Sequence, residues 1–81
     1  MPSKDDNPDL SREIGRRLVD LRKKRGLTQT GLAKMLGINQ TGISKYERGE
    51  VRLTPSAIVK LAEVLDTSAD HLLGLRSRRG R

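Results

Sequence analysis

Residues 29–46 read QTGLAKMLGINQTGISKY, and this stretch decides the fold. It contains two short segments whose apolar residues recur at helical spacing, with Gly37 between them. Thr28 and Asn39 are suitable N-caps for the two segments, because their side-chain oxygens can accept hydrogen bonds from free backbone N–H groups. The stretch therefore predicts two short helices joined by a tight turn, the second over residues 40–48. Five apolar side chains are expected to lock these helices together: Leu32, Leu36, Ile38, Ile43 and Tyr46.

The flanking sequence predicts three more helices. A helix over residues 9–25 is indicated by an apolar stripe made of Leu10, Ile14, Leu18 and Leu21. A fourth helix begins at Thr54 and Pro55, a cap followed by a proline at the first helical position, and a fifth runs from Ser68 to Gly74. No stretch alternates with the period of a strand over more than a few residues, so the expected fold is all-α with five helices.

Length and charge indicate one basic domain. With 81 residues, we expect a flexible N-terminal arm over residues 1–8, one helix-turn-helix domain over residues 9–75 and a disordered basic tail over residues 76–81. Lys and Arg number 17 against 10 Asp and Glu, a formal charge of +7, so polyanions are the natural partners. Tyr46 is the single aromatic residue, which disfavours modules that stack single-stranded RNA on aromatic rings. Two short helices joined by a tight turn can form a DNA-reading unit, so the helix pair over residues 29–46 makes double-stranded DNA the expected partner.

Several functional classes find no support in the residues. Cysteine is absent and His71 is the only histidine, so we expect no metal site. No glycine-rich phosphate loop, nucleophile with a base or carboxylate cluster is evident, so we expect a non-enzyme without cofactors. No apolar run is long enough to cross a bilayer and residues 1–7 lack a signal-peptide pattern, so we expect no membrane contact and a cytoplasmic location.

A string of motifs extends over residues 14–74: Leu27-Thr28-Gln29, Leu32-Ala33, Leu36-Gly37-Ile38, Ile43-Ser44, Tyr46-Glu47-Arg48-Gly49, Leu61-Ala62 and Leu72-Leu73-Gly74. This string resembles the lambda-repressor-like family of phage Cro and repressor proteins, also called the Xre family. The resemblance implies a five-helix bundle whose third helix, the reading helix, lies in the major groove of DNA. Two departures, Gly31 and Gly42 at an exposed position, are expected to lower stability.

The resemblance also implies a function. It implies a sequence-specific regulator of transcription, expected to act as a repressor, that binds a near-palindromic operator as a homodimer through a contact within residues 65–75. We expect it on the nucleoid of a bacterium or phage host, without a small-molecule inducer. Two alternatives stay open. The chain could be an antitoxin or adaptor that acts mainly through a protein partner, or it could bind nucleic acid non-specifically through the basic tail.

Helical geometry selects candidate base-reading residues, because the N-terminal end of the reading helix enters the groove. The side chains that avoid the inward direction of Ile43 and Tyr46 are Gln40, Thr41, Ser44 and Lys45. Gln40 suits adenine and Lys45 suits guanine. An ordinary solvated helix face is the alternative interpretation of these positions.

Phosphate contacts form the second group of candidates. The residues expected to bind phosphates are Gln29, Arg22, Asn39, Arg48 and Arg52. The resemblance implies the role of Gln29, and it also implies an ion pair between Arg22 and Glu47 that is structural first. The alternatives are an ordinary first-turn residue for Gln29 and plain surface charges for Arg48 and Arg52.

Overall fold

The computed structural model describes residues 8–75, which form five helices and, within that range, no strand. The helices are α1 (Pro8–Lys24), α2 (Gln29–Leu36), α3 (Gln40–Arg48), α4 (Pro55–Val64) and α5 (Ala69–Leu73). The all-α prediction is confirmed, and the reading helix, α3, has the predicted bounds. The arm and tail predicted over residues 1–8 and 76–81 lie outside the described residues, except that Pro8 begins α1.

Helices α2 to α5 begin with side-chain caps at the predicted positions. The Thr28 hydroxyl accepts a hydrogen bond from the N–H group of Gly31 at 2.9 Å, and Asn39 Oδ1 accepts one from Gly42 at 3.0 Å. The other two helices are capped in the same way, by Thr54 and Ser68. Each cap satisfies a backbone N–H group that has no partner inside its own helix. Local sequence therefore sets where these helices start.

A three-residue turn over residues 37–39 joins α2 to α3. Gly37 has a φ of 74°, in the left-handed region, and the N–H group of Ile38 donates to the carbonyl of Ala33 at 3.0 Å. This is a Schellman motif, which closes a helix by satisfying carbonyls of its last turn. Helix α3 also ends at a left-handed glycine, Gly49, with a φ of 73°. Both helices are short because each ends at a left-handed glycine.

The core takes apolar side chains from all five helices. Its buried members are Leu18, Leu32, Ala33, Ile43, Leu61, Leu65 and Leu72. Ile43 has no exposed surface, and Leu36 and Tyr46 pack against the core from its edge. Truncation of a fully buried Leu or Ile to Ala usually lowers the free energy of unfolding by about 2–5 kcal/mol. Ile43 therefore anchors the inward side of α3 in the core.

One prediction about the turn is only partly met. Ile38 is 40% exposed and is not among the residues that form the core or pack against it, because it lies in the turn beyond the last residue of α2. Its Cδ1 atom lies against the first turn of α3, 3.2 Å from where a β carbon at Gly42 would be. Gly42 is therefore half-buried rather than exposed.

Residues 65–75 are the segment predicted to form the dimer contact. Part of this segment packs in the core of the same chain. Leu65 and Leu72 are buried within the same chain, whereas His71 and Leu75 are exposed. Any contact with another molecule through this segment has to use its exposed side chains. Over residues 8–75, no helix has the length and apolar composition that a membrane span requires.

Candidate nucleic-acid interface

The outer edge of α3 carries the four side chains predicted to read bases. Gln40, Thr41 and Lys45 are exposed, and Ser44 is half-buried. The edge lies opposite Ile43, which anchors the helix in the core. The structure therefore brings all four side chains onto the solvent side of one short helix.

Arg22 and Glu47 form a buried ion pair between the end of α1 and the last turn of α3. Arg22 Nε donates to Glu47 Oε2 at 2.6 Å and Nη2 donates to Oε1 at 3.3 Å. The side chains are only 11% and 5% exposed, and Arg22 Nη1 also donates to the carbonyl of Leu27 at 2.8 Å. Phosphate binding by Arg22 remains a prediction, and any such contact has to use the guanidinium N–H groups that these three bonds leave.

The same carboxylate begins a hydrogen-bond chain that reaches the interface. Gln29 Nε2, at the start of α2, donates to Glu47 Oε1 at 2.8 Å. Gln40 Nε2, at the start of α3, donates to Gln29 Oε1 at 2.5 Å. We call the chain Glu47–Gln29–Gln40 the amide relay. Sequence reasoning assigned these three residues separate roles and missed their connection. The signal was a Gln directly after the N-cap of both helices, Thr28 and Asn39.

Arg48 is held on the surface by a neighbour that sequence reasoning missed. Its Nε donates to Glu50 Oε2 at 2.7 Å, its Nη2 donates to Oε1 at 3.2 Å, and its Nη1 donates to the hydroxyl of Ser44. The hydrogen bond from Arg48 holds the pKa of the Glu50 carboxyl below its usual range and raises the pKa of Arg48, so both groups are charged at neutral pH. The available signal was a carboxylate two residues beyond Arg48, across the left-handed Gly49.

The remaining two predicted phosphate ligands lie at either end of α3. Asn39 is exposed and its Oδ1 atom caps the helix, so its amide group and the first N–H groups of α3 face the same end. Arg52 is exposed in the loop between α3 and α4. Within residues 8–75, no group of three His, Cys, Asp or Glu side chains is placed to hold a metal ion.

Comparisons with known proteins identify the family and the fold. The helix-turn-helix family (HTH_3) matches residues 18–72. The restriction-modification controller protein C.AhdI from Aeromonas hydrophila is similar, with 33% identity over 83% of this chain and 97% of that one and a TM-score of 0.77. The P22 c2 repressor protein, solved in complex with a synthetic operator, has 34% identity over 73% of this chain and 89% of that one and a TM-score of 0.69.

A third structure supports the fold alone. The clp gene regulator ClgR from C. glutamicum has 21% identity over 89% of this chain and 94% of that one, with a TM-score of 0.76. A comparison with curated protein sequences gives no significant match. The family match covers most of residues 8–75 and includes both helices of the helix-turn-helix unit. The chain therefore belongs to the helix-turn-helix family, in the lambda-repressor-like group that its motifs resemble.

Proposed function

We propose that this protein binds double-stranded DNA and regulates transcription, as a repressor, by reading an operator with α3. The observation that carries the proposal is the outward polar edge of α3, on a helix seated in the core by Ile43. A helix of this kind fits the major groove, where each base pair presents a distinct pattern of donors and acceptors. The similar P22 c2 repressor was solved in complex with a synthetic operator, which supports the same partner here.

Two side chains on this edge have the chemistry for base recognition. The Gln40 amide can donate to N7 and accept from the N6 amino group of adenine, and the Lys45 ammonium can donate to O6 and N7 of guanine. Thr41 and Ser44 carry hydroxyl groups that can serve either base. Because all four lie on one helix edge, they would reach neighbouring base pairs in one groove.

Phosphate contacts would hold this edge in place. The N-termini of α2 and α3 present backbone N–H groups that attract anions, and Gln29 and Asn39 lie at these two ends. Arg48 and Arg52 would contribute positive charge near the C-terminal end of α3. These contacts supply affinity and register, whereas the base contacts supply sequence preference.

We further propose a homodimer that acts on the nucleoid in the cytoplasm. Two copies of α3 about 34 Å apart would meet successive major grooves on one side of a near-palindromic operator. The exposed side chains of residues 65–75, including Leu75, are the proposed dimer contact, because Leu65 and Leu72 are used in the core.

Selection of bound duplexes from a random DNA pool at physiological salt, followed by footprinting, tests this function. The expected product is an operator with two related half-sites, both protected. Gln40→Ala and Lys45→Ala should each remove the preference at one base pair per half-site, with a loss of roughly 1–3 kcal/mol in discrimination. Equal competition by all duplexes would contradict sequence-specific binding, and protection of a single half-site would contradict the dimer.

Deletion of residues 76–81 separates groove reading from non-specific attraction. This segment carries four Arg residues, so its removal should weaken binding to all duplexes and reduce the dependence of affinity on salt. If α3 reads the operator, the ratio of operator affinity to affinity for an unrelated duplex should survive the deletion. Loss of that ratio would instead favour recognition through the tail.

A further inference from the structure

We propose that a row of exposed basic side chains on α1 binds the phosphates of one DNA strand beside the groove that α3 reads. The row consists of Arg12, Arg16 and Lys23, and we call it the α1 stripe. The inference rests on the proposed function, because it assigns a further contact to the same duplex. It concerns affinity rather than base preference, since phosphate contacts carry no sequence information directly.

Helical periodicity places the three side chains of the stripe on one face of α1. A residue turns by about 100° around the helix axis, so Arg16 lies about 40° and Lys23 about 20° from Arg12. At a rise of about 1.5 Å per residue, the stripe is about 16 Å long. Each DNA strand carries one phosphate per roughly 3.4 Å of helix axis, so a stripe of this length can lie along several phosphates.

The α1 stripe borders the reading helix, because the backbones of α1 and α3 come close together. A β carbon at Gly49, where α3 ends, would lie 2.9 Å from the Cα atom of Arg12. Gly15 lies against the carbonyl groups of Tyr46 and Glu47 in the last turn of α3. Helix α1 therefore runs back along α3 from its C-terminal end, and the stripe follows it.

Angular positions put the stripe and the outer edge of α3 on the same side of the two helices. From Gly15, which faces α3, the buried Leu18 lies about 60° around α1, and the stripe lies about 60–100° around in the opposite direction. From Glu47, which faces α1, the buried Ile43 lies about 40° around α3, and Ser44 lies about 60° around in the opposite direction. Both surfaces therefore point away from the core, so a duplex that receives the outer edge of α3 lies next to the stripe.

Charges around α1 are sorted in the same sense. Three acidic side chains, at positions 9, 13 and 20, form a row farther from α3, about 60–100° from Arg12. Arg12 donates to Asp9 at 3.2 Å, but an exposed pair of this kind adds little stability. Among the residues that the structure describes, neither Arg16 nor Lys23 pairs with a carboxylate. These two cations are therefore available to a phosphate strand, which the acidic row would keep on the side nearest α3.

Paired variants test the proposal, because neighbouring residues on a helix point in different directions. Lys23→Gln removes a charge from the stripe, whereas Lys24→Gln makes the same change in net charge at an exposed position on the side of α1 opposite Gly15. Arg16→Gln and Lys60→Gln form a second pair, with Lys60 exposed on α4. All four substituted positions are exposed, so each variant should keep the cooperative thermal transition of the wild-type protein.

The measurement is the dissociation constant for the selected operator and for an unrelated duplex of equal length, over a range of salt concentrations. Lys23→Gln and Arg16→Gln should each reduce the slope of log affinity against log salt concentration by about 0.9, the value for one phosphate contact on duplex DNA. Both duplexes should be weakened equally, because every sequence has the same phosphates. Lys24→Gln and Lys60→Gln should leave the slope unchanged.

Equal reductions of the slope in the stripe variants and their controls would overturn the inference, because net charge would then account for the effect. Unchanged slopes in both stripe variants would also overturn it, and sequence-specific binding by the wild-type protein would then leave the proposed function intact. Selective weakening of the operator in a stripe variant would indicate a base contact and overturn the assignment to phosphates. Failure of the wild-type protein to bind any duplex would overturn the stripe and the proposed function together.

Discussion

Gly15 of α1 packs directly against the backbone carbonyl of Glu47 in α3. A β carbon at position 15 would also lie 2.8 Å from the carbonyl oxygen of Tyr46, closer than real β carbons approach backbone atoms. The glycine therefore lets α1 reach the last turn of the reading helix, where Arg22 of α1 pairs with Glu47. This contact explains why a helix contains a residue that disfavours helices by about 1 kcal/mol relative to Ala.

Gly15→Ala should destabilise the fold despite its better helix propensity. Because backbone atoms have to move apart, we expect the free energy of unfolding to fall by about 1–3 kcal/mol, as in other overpacked contacts. Urea denaturation followed by circular dichroism measures the change. The matched control is Gly42→Ala, where the nearest atom is the end of the exposed Ile38 side chain, and there we expect little change or a small gain. Equal losses in the two variants would contradict the close-packing explanation.

Removal of one partner of the buried ion pair should be far more damaging than removal of both. Arg22→Met leaves the Glu47 carboxylate buried without its cation, and we expect a loss of about 3–5 kcal/mol. The double variant Arg22→Met, Glu47→Leu should recover most of this loss, because no buried charge remains. Urea denaturation of the single and double variants checks the coupling.

The control for this cycle is the exposed pair between Arg25 and Asp66, whose nitrogen and oxygen atoms lie 3.8 Å apart. Arg25→Met should lower the free energy of unfolding by less than about 1 kcal/mol, because solvent screens exposed pairs. A double variant at least as unstable as Arg22→Met would show that the two charges do not depend on each other.

Glu50 should lower the non-specific affinity for DNA, because its carboxylate is hydrogen-bonded to Arg48. A phosphate that approaches Arg48 has to compete with the two hydrogen bonds from its guanidinium to Glu50. Glu50→Gln should therefore raise affinity for every duplex and steepen its dependence on salt by up to about one released counterion. Glu63→Gln, on an exposed position of α4, makes the same change in net charge and serves as the control. If both variants raise affinity equally, net charge alone is responsible.

The two polar caps Asn39 and Thr54 should separate stability from DNA binding. Asn39→Ala and Thr54→Ala each remove one side-chain hydrogen bond to a helix N-terminus, so each should lower the free energy of unfolding by about 1 kcal/mol. Because Asn39 begins the reading helix, its variant alone should also weaken DNA binding, measured by fluorescence anisotropy at a temperature where both variants are folded. Equal affinities in the two variants would contradict a phosphate contact at Asn39.

Local signals in the sequence were sufficient for the helices but not for their contacts. The caps at Thr28 and Asn39 and the glycine at position 37 act through neighbours within five residues, so they can be recognised from sequence alone. The Arg22–Glu47 pair was anticipated from the family resemblance, although the two residues are 25 positions apart. Distant pairings without such a precedent were missed.

The incorrect and missing predictions each have a physical cause. Ile38 has the hydrophobicity of a core residue, yet its position in the turn leaves it 40% exposed, against the first turn of α3. The amide relay depends on the angle at which α2 and α3 cross, which apolar spacing does not encode. The bond from Arg48 to Glu50 depends on the reversal of the chain at Gly49.

Helix α3 has its own capping residue at each end, and this affects how far its sequence can diverge. The helix is held by the Asn39 cap, by the terminal Gly49 and by the fully buried Ile43. Exposed positions such as Thr41 and Lys45 therefore contribute nothing to the core. Under the proposed function, substitutions there would retarget a duplicated copy of the gene to a different promoter without reducing the yield of folded protein. New regulatory circuits can therefore arise from this scaffold in a few mutational steps.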